Sequence, residues 1–354
     1  MGAVRSLDRG ARWRHWHDHL TVRGVGDQPN PDAAPSEDVR PEHRRTTPTP
    51  RTAPPRPLVA AHRGASGIVA EHTELAYQAA IEAGADALEC DVRLTRDGHL
   101  VCVHDRTVNR TSDGAGPVSE MDLAGLDALD FSSWYDTDSL SGEWPDAADR
   151  MLRNEPYLAG VAPDRHTAGG VLRLETLLGL VKDASREVRL LVETKHPTRY
   201  AGLVEKELVR VLRRFGWAGR PLEVTERASA RRRPSHVDGR VSVMSFAPIA
   251  LRRVRLLAPE LPTVLLMDRL MRGRRDGGLP GGVGIAGPGL ELLLDDPGYV
   301  ARAHARGNLV YVWTVDSLAD IDYVVGLGVD AVITNRPADV IHWLDGHGGQ
   351  RRLV

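Results

Sequence analysis

The run AHRGASGIVAEHTELAYQAAIEAGADALECDVRLTRDGHLVCVHD, Ala61 to Asp105, decides the fold. It leaves an apolar β-type stretch, Leu58 to Ala61, passes through a helical stretch, Glu74 to Ala83, and enters a second apolar segment, Ala85 to Val92. A strand, a helix and another strand make the crossover unit of a parallel sheet. In an extended segment residues two apart share a face, so Glu89 and Asp91 converge on one side with Ala87 and Ala85 beneath them. Leu88, Cys90 and Val92 then face the other way, ready to pack on helices. Two carboxylates side by side ask for a cation. Leu100 to His104 is read as a further strand with His104 at its carboxyl tip, as His62 stands at the tip of VAAH.

Beyond this stretch the alternation continues. Strand-like runs are Arg189 to Glu193, Val241 to Phe246, Thr263 to Met267, Val283 to Ala286, Leu309 to Thr314 and Ala331 to Thr334. Helical stretches fall between them at Leu174 to Asp183, Tyr200 to Phe215, Pro248 to Ala258, Pro297 to Arg306 and Ser317 to Leu327. In RLLVETK the same alternation sets Leu191, Glu193 and Lys195 on one face and Val192 and Thr194 on the other. Polar residues collected at the carboxyl ends of several strands are how a parallel α/β barrel builds an active site. The pattern predicts a (β/α)8 TIM barrel over residues 58–345, with an open doubly wound sheet as the competing architecture. The GxGxxG dinucleotide fingerprint follows none of the strands.

Two stretches depart from the alternation. Residues 106–170 hold a turn-rich TSDGAGPVSEM and a polar segment without period, and are expected to form a small rim insertion after an early strand. Residues 1–57 are rich in Arg and Pro and end in TPTPRTAPPRP; such a composition cannot offset its ordering entropy and predicts a disordered tail. Residues 346–354 are expected to be a short C-terminal tail.

With 46 Lys and Arg against 48 Asp and Glu, the chain of 354 residues has a net charge of -2, which argues against nucleic acid or an anionic membrane as the partner. No window approaches the run of about eighteen apolar residues that spans a bilayer, and no basic segment with an apolar core opens the chain. A cytoplasmic protein without stable membrane insertion is the expectation. The only two cysteines, Cys90 and Cys102, are expected to face opposite sides of their strands as reduced core residues.

The segments AHRGASG, EHT, GADALECDVRLTRDG with its HD ending, VETK, SF, VWTV and GVDAVITNRP together resemble the glycerophosphodiester phosphodiesterases, in that family's order and over Leu58 to Trp343. One departure is Ala70 where the family's box begins with proline. The resemblance implies that Glu89, Asp91 and Glu193 hold one divalent cation; an all-oxygen set favours Mg²⁺ or Ca²⁺. It implies Arg63 and Lys195 as phosphate contacts, Glu71 beside the site, and Phe246 and Trp313 as pocket walls, with Ser245, Asn335 and His72 as lesser contacts. His62 would act as base toward the glycerol 2-hydroxyl and His104 as acid on the departing alcohol, before water opens a cyclic phosphate to glycerol 3-phosphate. The substrate would be a small glycerophosphodiester such as glycerophosphocholine or glycerophosphoethanolamine.

Three other functions compete. A lysophospholipase D-like activity on lysolipids needs an apolar groove near the mouth. A silent phosphate-binding protein has no use for two histidines and three carboxylates kept together. A nucleic-acid binder would work through the arginine-rich tail and show steep salt dependence. Each site residue alone also has a structural explanation: a strand-end histidine on the surface, a rim ion pair for Glu193 and Lys195, a core tryptophan. The carboxylate pair is hardest to explain away, because buried charges need a counter-charge.

Overall fold

The computed structural model describes residues 56–135, 169–198, 201–219, 239–270 and 272–347. The expected tails at 1–57 and 346–354, and the middle of the rim insertion, lie largely outside these residues. Eight strands close a parallel barrel: β1 Leu58–His62, β2 Ala87–Leu94, β4 Arg189–Thr194, β5 Val241–Ser245, β6 Thr263–Met267, β7 Ile285–Pro288, β8 Leu309–Val312 and β9 Ala331–Thr334. β9 pairs back on β1 and β1 pairs on β2, so the barrel leaves no open edge. This is the (β/α)8 barrel the alternation predicts.

The strands divide their side chains as period-two alternation requires. Ala60, Ala87, Leu191, Met244, Leu266, Tyr311 and Ile333 fill the barrel interior. Their neighbours Ala61, Leu88, Cys90, Val192 and Val243 face outward into a layer of helices. Among those helices are α1 Glu74–Glu82, α3 Leu174–Asp183 and α4 Leu203–Arg214. Thr73 caps α1, its hydroxyl oxygen accepting from the Ala76 N–H at 3.2 Å, which explains why the EHT box stops an irregular loop and starts a helix. Further round the barrel, α5 Pro248–Leu257 and α8 Leu318–Leu327 follow strands β5 and β8. Truncating a fully buried outward residue such as Leu88 leaves a cavity costing about 2–5 kcal/mol.

One expected strand belongs elsewhere. Leu100–Cys102, strand β3, runs antiparallel to β2 and stands outside the barrel. Its connection, Thr95 to His99, contains an Asp-Gly turn with Gly98 at φ 88° and is too short for a crossover helix, so a hairpin is the only route. His104 therefore does not end a barrel strand. It is carried back to the mouth because the hairpin reverses the chain, and the Val103 N–H donates to the Asp91 carbonyl at 3.0 Å.

The same register corrects the cysteines. Val92 pairs with Cys102, so Cys90 and Cys102 share the helix-facing side, both buried and both free. Ala85 precedes β2 and packs outside the barrel rather than beneath Glu89. The described part of the rim insertion includes helix α2, Leu123–Asp127, and packs its own small core of Val103, Val108, Leu126 and Phe131. Among the described residues no helix is long and apolar enough to cross a membrane.

Candidate active site

At the carboxyl ends of the strands, β2 and β4 lie side by side with Asp91 opposite Glu193. Glu89, Asp91 and Glu193 are all buried, and one oxygen from each lies within 4.8 Å of the others. Burial, reinforced by the charge of Asp91, pushes Glu89 well above the usual carboxylate range and Glu193 up to about 8. Asp91 stays well below that range: burial opposes its charge, but His72, Lys195 and Arg63 hold it. At these two carboxyls burial and the Asp91 charge outweigh the cations of the chain, so both are shifted toward the protonated form. A divalent cation would hold all three ionised, and an all-carboxylate donor set suits a hard ion.

Two cations of the chain crowd the same cluster. The Lys195 ammonium lies 2.9 Å from Glu193 Oε1 and 3.2 Å from Asp91 Oδ1. Arg63, just past β1, has a left-handed backbone at φ 60°, and its N–H reaches Glu89 Oε2 at 3.1 Å. Its guanidinium pairs with Glu71 at 3.1 Å, and its Nε lies 3.1 Å from Asp91 Oδ2 off the hydrogen-bond line. The turn that carries Arg63 is tight: a Cβ on Gly64 would meet the Ala76 backbone at 2.6 Å.

His62 ends β1. Its Nδ1 lies 2.7 Å from Asn335 Oδ1, while Asn335 Nδ2 donates to Asp316 Oδ2 at 2.6 Å. A carboxylate only accepts, so Asp316 turns the amide until its oxygen faces the imidazole. The hydrogen-bond network then assigns the proton to Nδ1 and the lone pair to Nε2. Burial first, and then the Arg63 charge, push the His62 pKa down to about 3, so the ring is neutral over the physiological range.

His104 is wired differently. Its Nδ1 lies 2.7 Å from Asp105 Oδ1, and Asp105 Oδ2 accepts from Arg110 Nε at 2.7 Å. Arg110 grips both oxygens of Glu71, at 2.8 and 2.7 Å. Burial lowers His104, with Arg63 and Lys195 adding to the effect and Asp91 and Asp105 opposing it. Glu71 thus joins Arg63 to Arg110 and reaches His104 only through Asp105. Burial would raise its pKa, but those two arginines bring it down to about 2.

A pocket of about 290 Å³ unites His62, Arg63, Glu89, His104, Glu193, Lys195, Phe246 and Trp313. The rings of Phe246 and Trp313 meet edge to face, their centroids 5.4 Å apart, and form its apolar wall. Ser245 is spent elsewhere: its hydroxyl donates to the Thr194 carbonyl at 2.9 Å. His72 supports the cluster, its Nε2–H donating to Asp91 Oδ2 at 3.0 Å.

A sequence model of the glycerophosphoryl diester phosphodiesterase family matches residues 62–339. The chain belongs to that family. A relative from Mycobacterium tuberculosis named "Probable glycerophosphodiester phosphodiesterase 1" is 42% identical over 290 residues, covering 82% of this chain and 93% of its own. A Bacillus subtilis glycerophosphodiester phosphodiesterase is 32% identical, over 82% of this chain and 86% of its own. Among solved structures, an Oleispira antarctica phosphodiesterase in complex with the product sn-glycerol-3-phosphate superposes with a TM-score of 0.62 at 21% identity, over 82% of this chain and 97% of its own. That likeness speaks for the shared fold. The chain is therefore a phosphodiesterase, and its polar constellation sits where barrel enzymes carry their chemistry.

Four residues hydrogen-bonded to members of this candidate site escaped the sequence reasoning. Asp105 and Arg110 were hidden because the chain of bonds from His104 to Glu71 that they form crosses a loop of irregular period. Asp316 stands next to Asn335 only in the closed barrel. Arg93 had a signal: it continues the Glu89, Asp91 alternation by one more step.

Proposed function

We propose that this phosphodiesterase cleaves small glycerophosphodiesters by attack of the substrate's own glycerol 2-hydroxyl, with His62 as base and His104 as acid. The observation that supports the assignment is the hydrogen bond that engages His62 Nδ1 with Asn335 and leaves Nε2 as the basic nitrogen of a ring lining the same pocket as His104. Glu89, Asp91 and Glu193 would hold a divalent cation, which when bound supplies Lewis-acid pull on a phosphoryl oxygen. Arg63 offers the fork geometry that suits a phosphate, and Lys195 a point charge.

In the first step His62 Nε2 takes the proton of the 2-hydroxyl while that oxygen bonds to phosphorus. The bond from phosphorus to the alcohol oxygen breaks, and His104 Nε2 gives that oxygen a proton. Bound phosphodiester charge offsets Arg63 and Lys195, the two cations that disfavour protonated His104, and leaves Asp91 and Asp105 to favour it. In the second step His104 takes a proton from water, the water oxygen attacks the cyclic phosphate, and His62 returns its proton to the departing 2-oxygen. The products are an alcohol and glycerol 3-phosphate. Phosphorus NMR during turnover of glycerophosphoethanolamine tests this: a transient five-membered cyclic phosphate is expected, and an analogue lacking the 2-hydroxyl should react at least 10²-fold more slowly. Equal rates for the two diesters would contradict it.

Lysolipid turnover is the second proposal, and one observation favours it. Leu203, Phe246, Ile249 and Leu318 are exposed large hydrophobics near the carboxyl ends of the strands, at or just before the starts of α4, α5 and α8. Turnover of a detergent-dispersed lysolipid exceeding that of the water-soluble diester would select it.

A further inference from the structure

The register that pairs Asp91 with Glu193 implies a second tier. One step further along the same faces stand Arg93, on β2, and Lys195, just past β4. The Arg93 guanidinium does not point back to the carboxylates. It donates from Nε and from its terminal nitrogen to the His104 carbonyl, at 3.1 and 2.6 Å, and is held beside the loop that presents His104.

Beyond this tier opens a second cavity, of about 550 Å³, adjoining the reaction pocket through the shared wall residue Lys195. Arg93, Arg106 and Lys195 line it together with Ser119, Glu120 and His196. The charges facing it are unequal. Glu120 is the acidic side chain of the wall among the described residues, and the imidazole of His196 is turned to Glu205 at 2.7 Å. Arg106 is exposed, and among the described residues neither Arg93 nor Arg106 pairs with a carboxylate. Arg63, Arg110 and Arg336 all do. Asp91, Glu193 and Asp105 act on Arg93 only from a distance, without a direct ion pair, and with Lys195 the wall carries three cations against Glu120. Two guanidiniums so placed form a site for an anion, and their planar forks match a carboxylate.

The position of the cavity says which part of a substrate reaches it. Resting on the phosphodiesterase reading above, His104 protonates the departing alcohol, so that alcohol leaves phosphorus on the His104 side, where Arg93 and Arg106 stand. We infer that this cavity receives the alcohol half of the diester and selects alcohols that carry a carboxylate.

Glycerophosphoserine and glycerophosphoethanolamine differ by one carboxylate and otherwise share phosphate, glycerol and ammonium. The test is the ratio of their kcat/KM values with the full chain. A preference of about tenfold or more for the serine diester is expected, with the difference carried by KM. Arg106→Gln should bring the ratio close to one. Arg210→Gln, which removes a surface charge from α4, should leave the ratio as it was. Because Arg93 also touches the His104 loop, Arg93→Lys and Arg93→Gln are compared, and the lysine variant should retain part of the preference. Inhibition by free phosphoserine and phosphoethanolamine gives a second measurement on the wild-type protein, with phosphoserine expected to bind more tightly. A ratio at or below one, or a ratio unmoved by Arg106→Gln, overturns the inference while leaving the phosphodiesterase reading intact. No turnover of either diester sinks that reading and this inference with it.

Discussion

His62 and Asn335 are 273 positions apart, and a single amide orientation decides what the histidine can do. Asp316 accepts from both the Asn335 backbone N–H and its side-chain amide, at 2.8 and 2.6 Å. Asp316→Ala releases that amide to flip. The expected result is a fall in kcat of about 10²-fold with KM little changed, since misorientation of a base acts on the reacting geometry. A KM increase with unchanged kcat would show instead that Asp316 helps to hold substrate. His62 itself makes a pH-dependent contribution to stability. Its folded pKa, about 3, lies below the ordinary 6.5, so its contribution is fully present above pH 6.5 and is lost as pH falls toward 3. Thermal unfolding in that window should show a steep loss for the wild type and a shallower one for His62→Ala. Parallel profiles for the two proteins would contradict the assignment of a buried neutral ring.

At the scale of elements, two turns with left-handed glycines carry different loads. Gly64, at φ 83°, lies against the Ala76 backbone of α1, whereas Gly98, at φ 88°, caps the β2–β3 hairpin where a side chain would meet open space. Gly98→Ala pays only backbone strain, about 1 kcal/mol, while Gly64→Ala must also push α1 away. Denaturant titration should place Gly64→Ala at least about 2 kcal/mol below Gly98→Ala, and equal losses would mean that α1 yields freely. These turns also mark how far the sequence could be read. The barrel was legible because period-two and helical patterns alternate from Leu58 to Thr334. The direction of β3 was legible in principle from the Asp-Gly turn, but the apolar run at Leu100 outweighed it. Glu89 and Asp91 announced themselves by sharing a strand face, and the family resemblance joined Glu193, at the end of a second strand, to them. Asp105, Arg110 and Asp316 could not, because their partners are brought to them by loops and barrel closure, which leave no period in the chain.

For the whole molecule, the buried carboxylate cluster at the barrel mouth sets a stability dependence opposite in sign to that of His62. Glu193, raised to about 8, favours the folded state while it holds its proton; without a cation that contribution is lost as pH rises through about 8. In chelator, the midpoint of thermal unfolding should therefore fall between pH 6.5 and 8. Saturating Mg²⁺ or Ca²⁺ should flatten that slope and raise Tm, because a ligand that binds only the folded state stabilises it. Glu89→Gln should remove most of the cation's effect. A cation-insensitive Tm throughout the range would argue that Arg63 and Lys195 suffice to neutralise the cluster. The most direct test is release of glycerol 3-phosphate from glycerophosphoethanolamine by purified protein stripped with chelator, then supplied with Mg²⁺ or Ca²⁺, beside Glu89→Gln and His104→Ala. Release that requires the cation and falls by at least 10²-fold in each variant is the predicted result. Full release in chelator, or undiminished release from either variant, would contradict a cation-assisted cleavage by these residues.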